Sequence, residues 1–141
     1  MPEWAPSVHP LVIHFPLVLL LLAPVVDVMS MTIHRLRIQQ PLVVGLYLVG
    51  ALAAAAAYIS GDYGAEGLLL PEAAEPVLGE HAAWAGWTVW FYGLYALARV
   101  GLLWGTRSPG RTFRWGLLVV GAAGGLLLFE TGDHGAQLVY Q

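Results

Sequence analysis

The sequence predicts an all-α integral membrane protein, a four-helix bundle with both termini on the extracytoplasmic side. Composition is the first observation: hydrophobic residues make up 58% and charged residues 11% of the 141 residues, whereas about 25% of an ordinary soluble domain is charged. Second, four apolar runs approach the roughly 20 residues that a helix needs to cross a bilayer. Third, the arginines gather at one end of these runs and the acids at the other.

The four apolar runs predict one transmembrane helix each. Their bounds are about 10–31, 41–60, 82–104 and 113–129. In lipid every backbone N–H and C=O must be paired within its own segment, so these runs are expected to be α-helices. A single domain over residues 1–141 then accounts for the chain. The opening MPEWAPS lacks the cationic start of a cleavable signal peptide, so the first run is expected to belong to the mature protein.

Small residues crowd the second and fourth runs. The second contains alanine at every position of 53–57, and the fourth contains Gly121, Gly124 and Gly125. Such residues let helix backbones approach closely in a bilayer, so close packing is the prediction. Space for a flat cofactor is the alternative.

The basic residues predict the orientation. All six are arginines, and they fall in or beside the loops that follow the first and third runs. Short cytoplasmic loops are enriched in arginine and lysine. The sequence therefore predicts a multi-pass protein of the inner (cytoplasmic) membrane with N-out, C-out topology, in contact with the lipid bilayer. A net charge of −3 with only six cations leaves no basic face for nucleic acid.

Four histidines are the candidate functional residues, because separate parts of the chain bring them to the predicted outer face: His9, His14, His81 and His134. Ionisable groups at membrane depth are costly and indicate function by default. Each alone also fits an interfacial or helix-capping role. His34 lies in the basic inner loop and is expected to have no part in the site.

Carboxylates accompany these histidines on the outer face. Asp62 ends the second run, Glu80 precedes His81, and Glu130 stands four residues before His134. Residues four apart share a helix face. Their carboxylates are therefore expected to lie behind the histidines, where they would accept the second N–H of the rings.

The histidine set predicts a metal-containing cofactor. The chain has no cysteine, and imidazole without thiolate suits haem iron, zinc, copper or non-haem iron. The preferred hypothesis is a b-type haem held by His14 and His81 that passes electrons at the extracytoplasmic face, with His9 and His134 on a second haem or on propionates. A site for a divalent transition metal, with Asp62, Glu80 or Glu130 beside the histidines, is the alternative. A non-catalytic subunit of a redox complex is a third, and no enzymatic reaction is assigned.

One further pair of charges lies near the predicted inner end. Asp27 follows Pro10 by 17 residues, and Arg99 follows His81 by 18. At about 1.5 Å per residue, the two side chains reach the same depth on parallel helices. The sequence predicts an ion pair that staples the bundle.

Two motifs resemble a bacterial membrane family catalogued as domain of unknown function 2231. The string HPLVIHFP (His9 to Pro16) is the most specific, and His81 and the closing GAQLVY (Gly135 to Tyr140) add to it. The resemblance implies a small four-helix membrane protein. It also implies a redox context with an extracytoplasmic cytochrome or Rieske-type partner, because some members are joined to such domains. The family supplies no activity, and a homo-oligomer stays an option.

Overall fold

The computed structural model describes residues 5–33, 35, 39–65, 74–105 and 109–140. The described residues form five helices and no strand. They are α1 (Ala5–Val12), α2 (His14–Thr32), α3 (Gln40–Ala65), α4 (Glu75–Trp104) and α5 (Arg111–Tyr140). The all-α prediction is confirmed.

Helices α1 and α2 follow each other as one span that is interrupted at Ile13. Ile13 keeps a right-handed helical backbone, and its N–H still donates to the carbonyl of His9. The ladder lacks one bond here, because Pro16 has no N–H to donate to the carbonyl of Val12. The bundle therefore has four long helical spans, and α1 forms the first turns of the first span.

The four long helices close into a ring. Each packs against its neighbour in sequence, α2 also packs against α5, and α1 lies against α3. Contacts between helix ends show that successive helices alternate in direction. One end, named here the histidine end, contains His9, Ser60, His81 and His134. The other, the arginine end, contains Asp27, Gln40, Arg99 and Arg114.

Three helical segments are long and apolar enough to cross a bilayer: Val8–Thr32, Gln40–Ala65 and Arg111–Leu138, with mean hydropathies of 2.4, 2.2 and 1.6. Helix α4 has 30 residues, which at 1.5 Å each gives roughly 45 Å and exceeds a hydrocarbon core of about 30 Å. Its tryptophans, tyrosines and Arg99 make it more polar than the other three. The chain is an integral membrane four-helix bundle.

The core is packed through glycines, as the small residues predict. A Cβ on Gly121 would lie 2.5 Å from the hydroxyl of Tyr47, and one on Gly124 would lie 2.3 Å from a ring carbon of Phe91. Tyr47 and Tyr92 are both fully buried. Large aromatic rings from α3 and α4 therefore fill the space that glycine leaves on α5.

The predicted ion pair is confirmed. A guanidinium nitrogen of Arg99 (Nη1) lies 2.7 Å from Oδ2 of Asp27, and the two side chains are 3% and 2% exposed. The same nitrogen donates to the hydroxyl of Tyr95, and Nη2 donates to Oε1 of Gln40. The Arg99 guanidinium also lies 5.4 Å from the ring centre of Tyr47. Four side chains thus surround one cation inside the bundle.

The helices extend beyond the apolar runs that predict them. Helix α3 continues to Ala65, α4 begins at Glu75, and α5 continues to Tyr140 rather than ending near residue 129. Glycines and acids end a hydrophobic run, but the backbone hydrogen bonds of a helix continue through them once the helix leaves the lipid. The extension matters because it brings His134 onto a helix.

Candidate functional site

Three of the predicted histidines meet at the histidine end. His9 of α1 and His81 of α4 have ring centres 6.5 Å apart, with ring planes at 83°. His134 of α5 lies beyond them against Trp84, at 6.2 Å between ring centres. All three side chains are half-buried. Three helices that are distant in sequence therefore contribute imidazoles to one site.

His9 is anchored through one ring nitrogen. Its Nδ1 lies 3.0 Å from the carbonyl oxygen of Ala57 and 3.0 Å from the hydroxyl of Ser60. Ser60 itself donates to the same carbonyl at 2.9 Å. Because a carbonyl only accepts, Nδ1 of His9 carries the hydrogen. In the neutral ring, Nε2 therefore keeps a free electron pair.

His81 is anchored in the same way. Its Nδ1–H donates to the carbonyl oxygen of Thr131 at 2.9 Å. The hydroxyls of Thr131 and Thr88 lie 3.0 Å apart, and either can donate to the other. Each also has the carbonyl one turn earlier in its own helix within hydrogen-bond distance, so the hydroxyl that accepts in the pair can donate there. This crosslink between α4 and α5 holds the carbonyl that orients His81. Its Nε2 also keeps a free electron pair, as on a histidine ready to bind a metal.

His134 differs from the other two. Its Nδ1–H donates to the carbonyl of Glu130 at 2.9 Å, and its Nε2 lies 3.2 Å from Oε2 of Glu80. A carbonyl and a carboxylate both only accept, so this geometry suits a ring that is protonated on both nitrogens. The sequence predicts that the side-chain carboxylate of Glu130 orients His134, but the backbone carbonyl of Glu130 does so instead. A ring four residues later reaches back to this carbonyl along its own helix.

Two glycines let the rings lie against neighbouring helices. A Cβ on Gly61 would lie 2.9 Å from Cε1 of His9, and one on Gly135 would lie 3.0 Å from Cε1 of His81. Any larger residue at either position would push the ring away from its carbonyl partner. The glycine of the closing GAQLVY string therefore has a structural reason in the position of His81.

The structure does not bring every candidate into this cluster. The His14 side chain is exposed on the outside of the bundle, and none of the described residues makes a hydrogen bond or ring contact with it. Asp62 is also exposed. His34 lies outside the described residues. Within the described ranges, no three His, Asp or Glu side chains are grouped so that they could hold one metal ion.

The positions of His9 and His14 follow from helix geometry. Five residues at about 100° each place the two side chains about 140° apart around a helix axis. With His9 turned toward α3 and α4, His14 must turn outward. The five-residue spacing is visible in the sequence, and so are Gly61 and Gly135. The carbonyl partners at Ala57 and Thr131 cannot be predicted from residue types, because every residue has a backbone carbonyl.

Comparison with known proteins gives a family. No curated protein and no solved structure matches the chain. A family model described as "Predicted membrane protein (DUF2231)" matches residues 5–141, which is nearly the whole chain and includes every candidate histidine. The chain therefore belongs to the DUF2231 family of predicted membrane proteins.

Proposed function

We propose that the histidine end binds a b-type haem between His9 and His81, and that the protein passes electrons at the extracytoplasmic face of a bacterial inner membrane. One observation carries this proposal. Two imidazoles from different helices lie 6.5 Å apart, and each is tied to a backbone carbonyl through Nδ1. Their Nε2 atoms are thereby left for a metal.

The ring separation suits two ligands of one metal. A metal-bound imidazole nitrogen lies about 2.0 Å from the metal and roughly 1.1 Å from its own ring centre. Two rings on one metal then have centres from about 5.1 Å apart, at a tetrahedral angle, up to about 6.2 Å apart. The observed 6.5 Å is near the upper end of this range, so His9 and His81 would hold a haem iron with little movement.

The surrounding residues fit this group. Haem iron needs only two protein ligands, so the absence of a three-ligand cluster in the described ranges does not count against it. The chain has no cysteine, so covalent attachment through CxxCH is excluded. A bound b-type haem supplies reversible one-electron chemistry.

His9 replaces His14 in this assignment. The sequence alone favours His14 with His81 because His14 lies deepest in its run, but its side chain is exposed. His81 keeps its role. His134 is left outside the ligand pair, where the carboxylate of Glu80 contacts its Nε2.

A non-haem metal site is the second candidate, and the Glu80 carboxylate favours it. It lies 3.2 Å from Nε2 of His134, next to the His9 and His81 pair. With no proton on Nε2, His134 would offer a third nitrogen and Glu80 a carboxylate oxygen, a ligand set that suits zinc, manganese or iron. This site would require the rings to move closer than the observed separation.

Charge supports the orientation. Arg35, Arg99, Arg111 and Arg114 belong to the arginine end or its loops, while Asp62, Glu75, Glu80, Glu130 and Asp133 belong to the histidine end. Because arginine-rich loops stay in the cytoplasm, the histidine end faces outward. An extracytoplasmic cytochrome or Rieske-type protein is the partner that such a site would serve.

The test is an absorption spectrum of the purified protein with metal analysis on the same sample. A dithionite-reduced sample should show sharp α and Soret bands, and His9→Ala and His81→Ala should each lose them. His14→Ala is the matched control from the same motif and should keep both bands. Stoichiometric metal without bands would support the second candidate, and bands that survive His81→Ala would overturn the haem assignment.

A further inference from the structure

A cavity lies at the arginine end, which is the end of the bundle opposite to the histidine end. It has a volume of about 40 Å³, and its polar lining consists of Asp27, Gln40, Arg99 and Arg114. A water needs roughly 10–15 Å³ by this measure, so the cavity has room for about three waters or for the oxygens of one small anion. It is independent of the haem proposal.

The lining carries a net charge of +1, because it holds two guanidinium groups and one carboxylate. Asp27 is already committed to Arg99 at 2.7 Å. Among the described residues, Arg114 donates only to the hydroxyl of Ser30, a neutral group, at 3.2 Å. No described acid other than Asp27 lies at this end of the bundle. The positive charge of Arg114 is therefore uncompensated.

Arg114 also has an unused donor. Its Nε is buried and has no hydrogen-bond partner among the described residues. A buried N–H without a partner is unfavourable, and more so on a charged group, so such groups are normally satisfied by a ligand or an ordered water. The planar guanidinium fork matches phosphate oxygens, which accept two parallel N–H bonds.

We propose that this cavity binds a phosphate oxyanion through Arg114, with Arg99 and Gln40 as further contacts. A phosphodiester carries one negative charge, which equals the excess positive charge of the lining. The cavity lies at the arginine end of the bundle, and basic pockets between transmembrane helices are known to accept anionic headgroups. The phosphate of an anionic phospholipid and free inorganic phosphate share this chemistry.

The test measures ligand-dependent thermal stability of the full chain in detergent. The probes are a short-chain phosphatidylglycerol and inorganic phosphate, with short-chain phosphatidylcholine to account for acyl chains without net charge. Wild-type protein should show saturable stabilisation by phosphatidylglycerol if the source is lipid, and by inorganic phosphate if it is the free anion. Phosphatidylcholine should stabilise less at every concentration.

Three variants assign the effect to the cavity. Arg114→Gln should weaken the binding of the effective probe about tenfold or more, because a charge-assisted contact is lost. Arg114→Lys keeps the charge without the fork and should fall between. Arg111→Gln is the matched control, since Arg111 is exposed on the same helix end and does not line the cavity. An Arg114→Gln protein of unchanged helicity that responds like Arg111→Gln would overturn the proposal, as would no saturable response of the wild type.

Discussion

Removing one charge of the Asp27–Arg99 pair should leave the other charge buried without its partner. The two single losses of stability should therefore add up to more than the loss caused by removing both charges together. Both side chains are almost fully buried. Breaking such a pair costs about 3–5 kcal/mol, mainly because one charge is left buried alone. The structure predicts which charge is destabilised more when its partner is removed. Arg99 retains Tyr95 and Gln40, whereas no other described side chain hydrogen-bonds to the Asp27 carboxylate.

Arg99→Met should therefore cost about 5 kcal/mol, near the upper limit, and Asp27→Asn about 3 kcal/mol. The double variant removes both charges, so its loss should be at least about 2 kcal/mol smaller than the sum of the two single losses. The assay is equilibrium unfolding in mixed micelles with increasing dodecyl sulfate, followed by circular dichroism. Asp133→Asn, at an exposed position of the histidine end, is the control and should change stability by less than about 0.5 kcal/mol.

Additive losses would refute this reasoning, because additivity means that the two charges do not interact. A larger loss for Asp27→Asn than for Arg99→Met would contradict the assignment of the extra partners to Arg99.

Three further predictions follow from single contacts. Gly124→Ala should destabilise the bundle by about 1–3 kcal/mol, because its Cβ would overlap buried rings, whereas Gly116→Ala on the same helix has open space and should be neutral or stabilising in the same unfolding assay. Gly61→Ala should lower the haem content or shift the Soret band by displacing the ring beside it, and Gly132→Ala, with nothing near its Cβ, should leave the spectrum unchanged. Thr88→Val should cost about 1 kcal/mol of stability by removing the hydroxyl contact between α4 and α5, and equal stability would show that this contact contributes nothing.

The pair of Asp27 and Arg99 was predictable from the sequence because helical rise alone sets depth. Two residues that follow their helix starts by 17 and 18 positions reach the same level. The other partners of Arg99 can be predicted from the sequence only in part. Tyr95 is one turn earlier on the same helix, but Gln40 comes from the start of α3 and depends on how the helices rotate.

The histidines show where depth is insufficient. His14 is the deepest of the four, and depth favoured it as a ligand, but rotation about the helix axis decides which ring faces the bundle. His9 and His14 are five residues apart and cannot both face inward on one helix. The family motif contains both histidines and does not distinguish their directions.

The sequence predicts an end of α5 that is about ten residues too early, and the reason is different. Gly132, Asp133 and Gly135 end the apolar run, so hydropathy places His134 in a tail. The helix continues to Tyr140, and this continuation gives His134 its carbonyl partner and Gly135 its contact with His81. Hydropathy measures the lipid-covered part of a helix and not its length.

Low-temperature electron paramagnetic resonance of the oxidised protein tests most directly whether His9 and His81 hold one iron. If His9 and His81 hold the iron of a b-type haem, as proposed, the oxidised protein should show a low-spin ferric signal. His81→Ala should lose this signal and His14→Ala should keep it. A sample without a low-spin ferric signal, or one whose signal survives His81→Ala, would contradict the assignment.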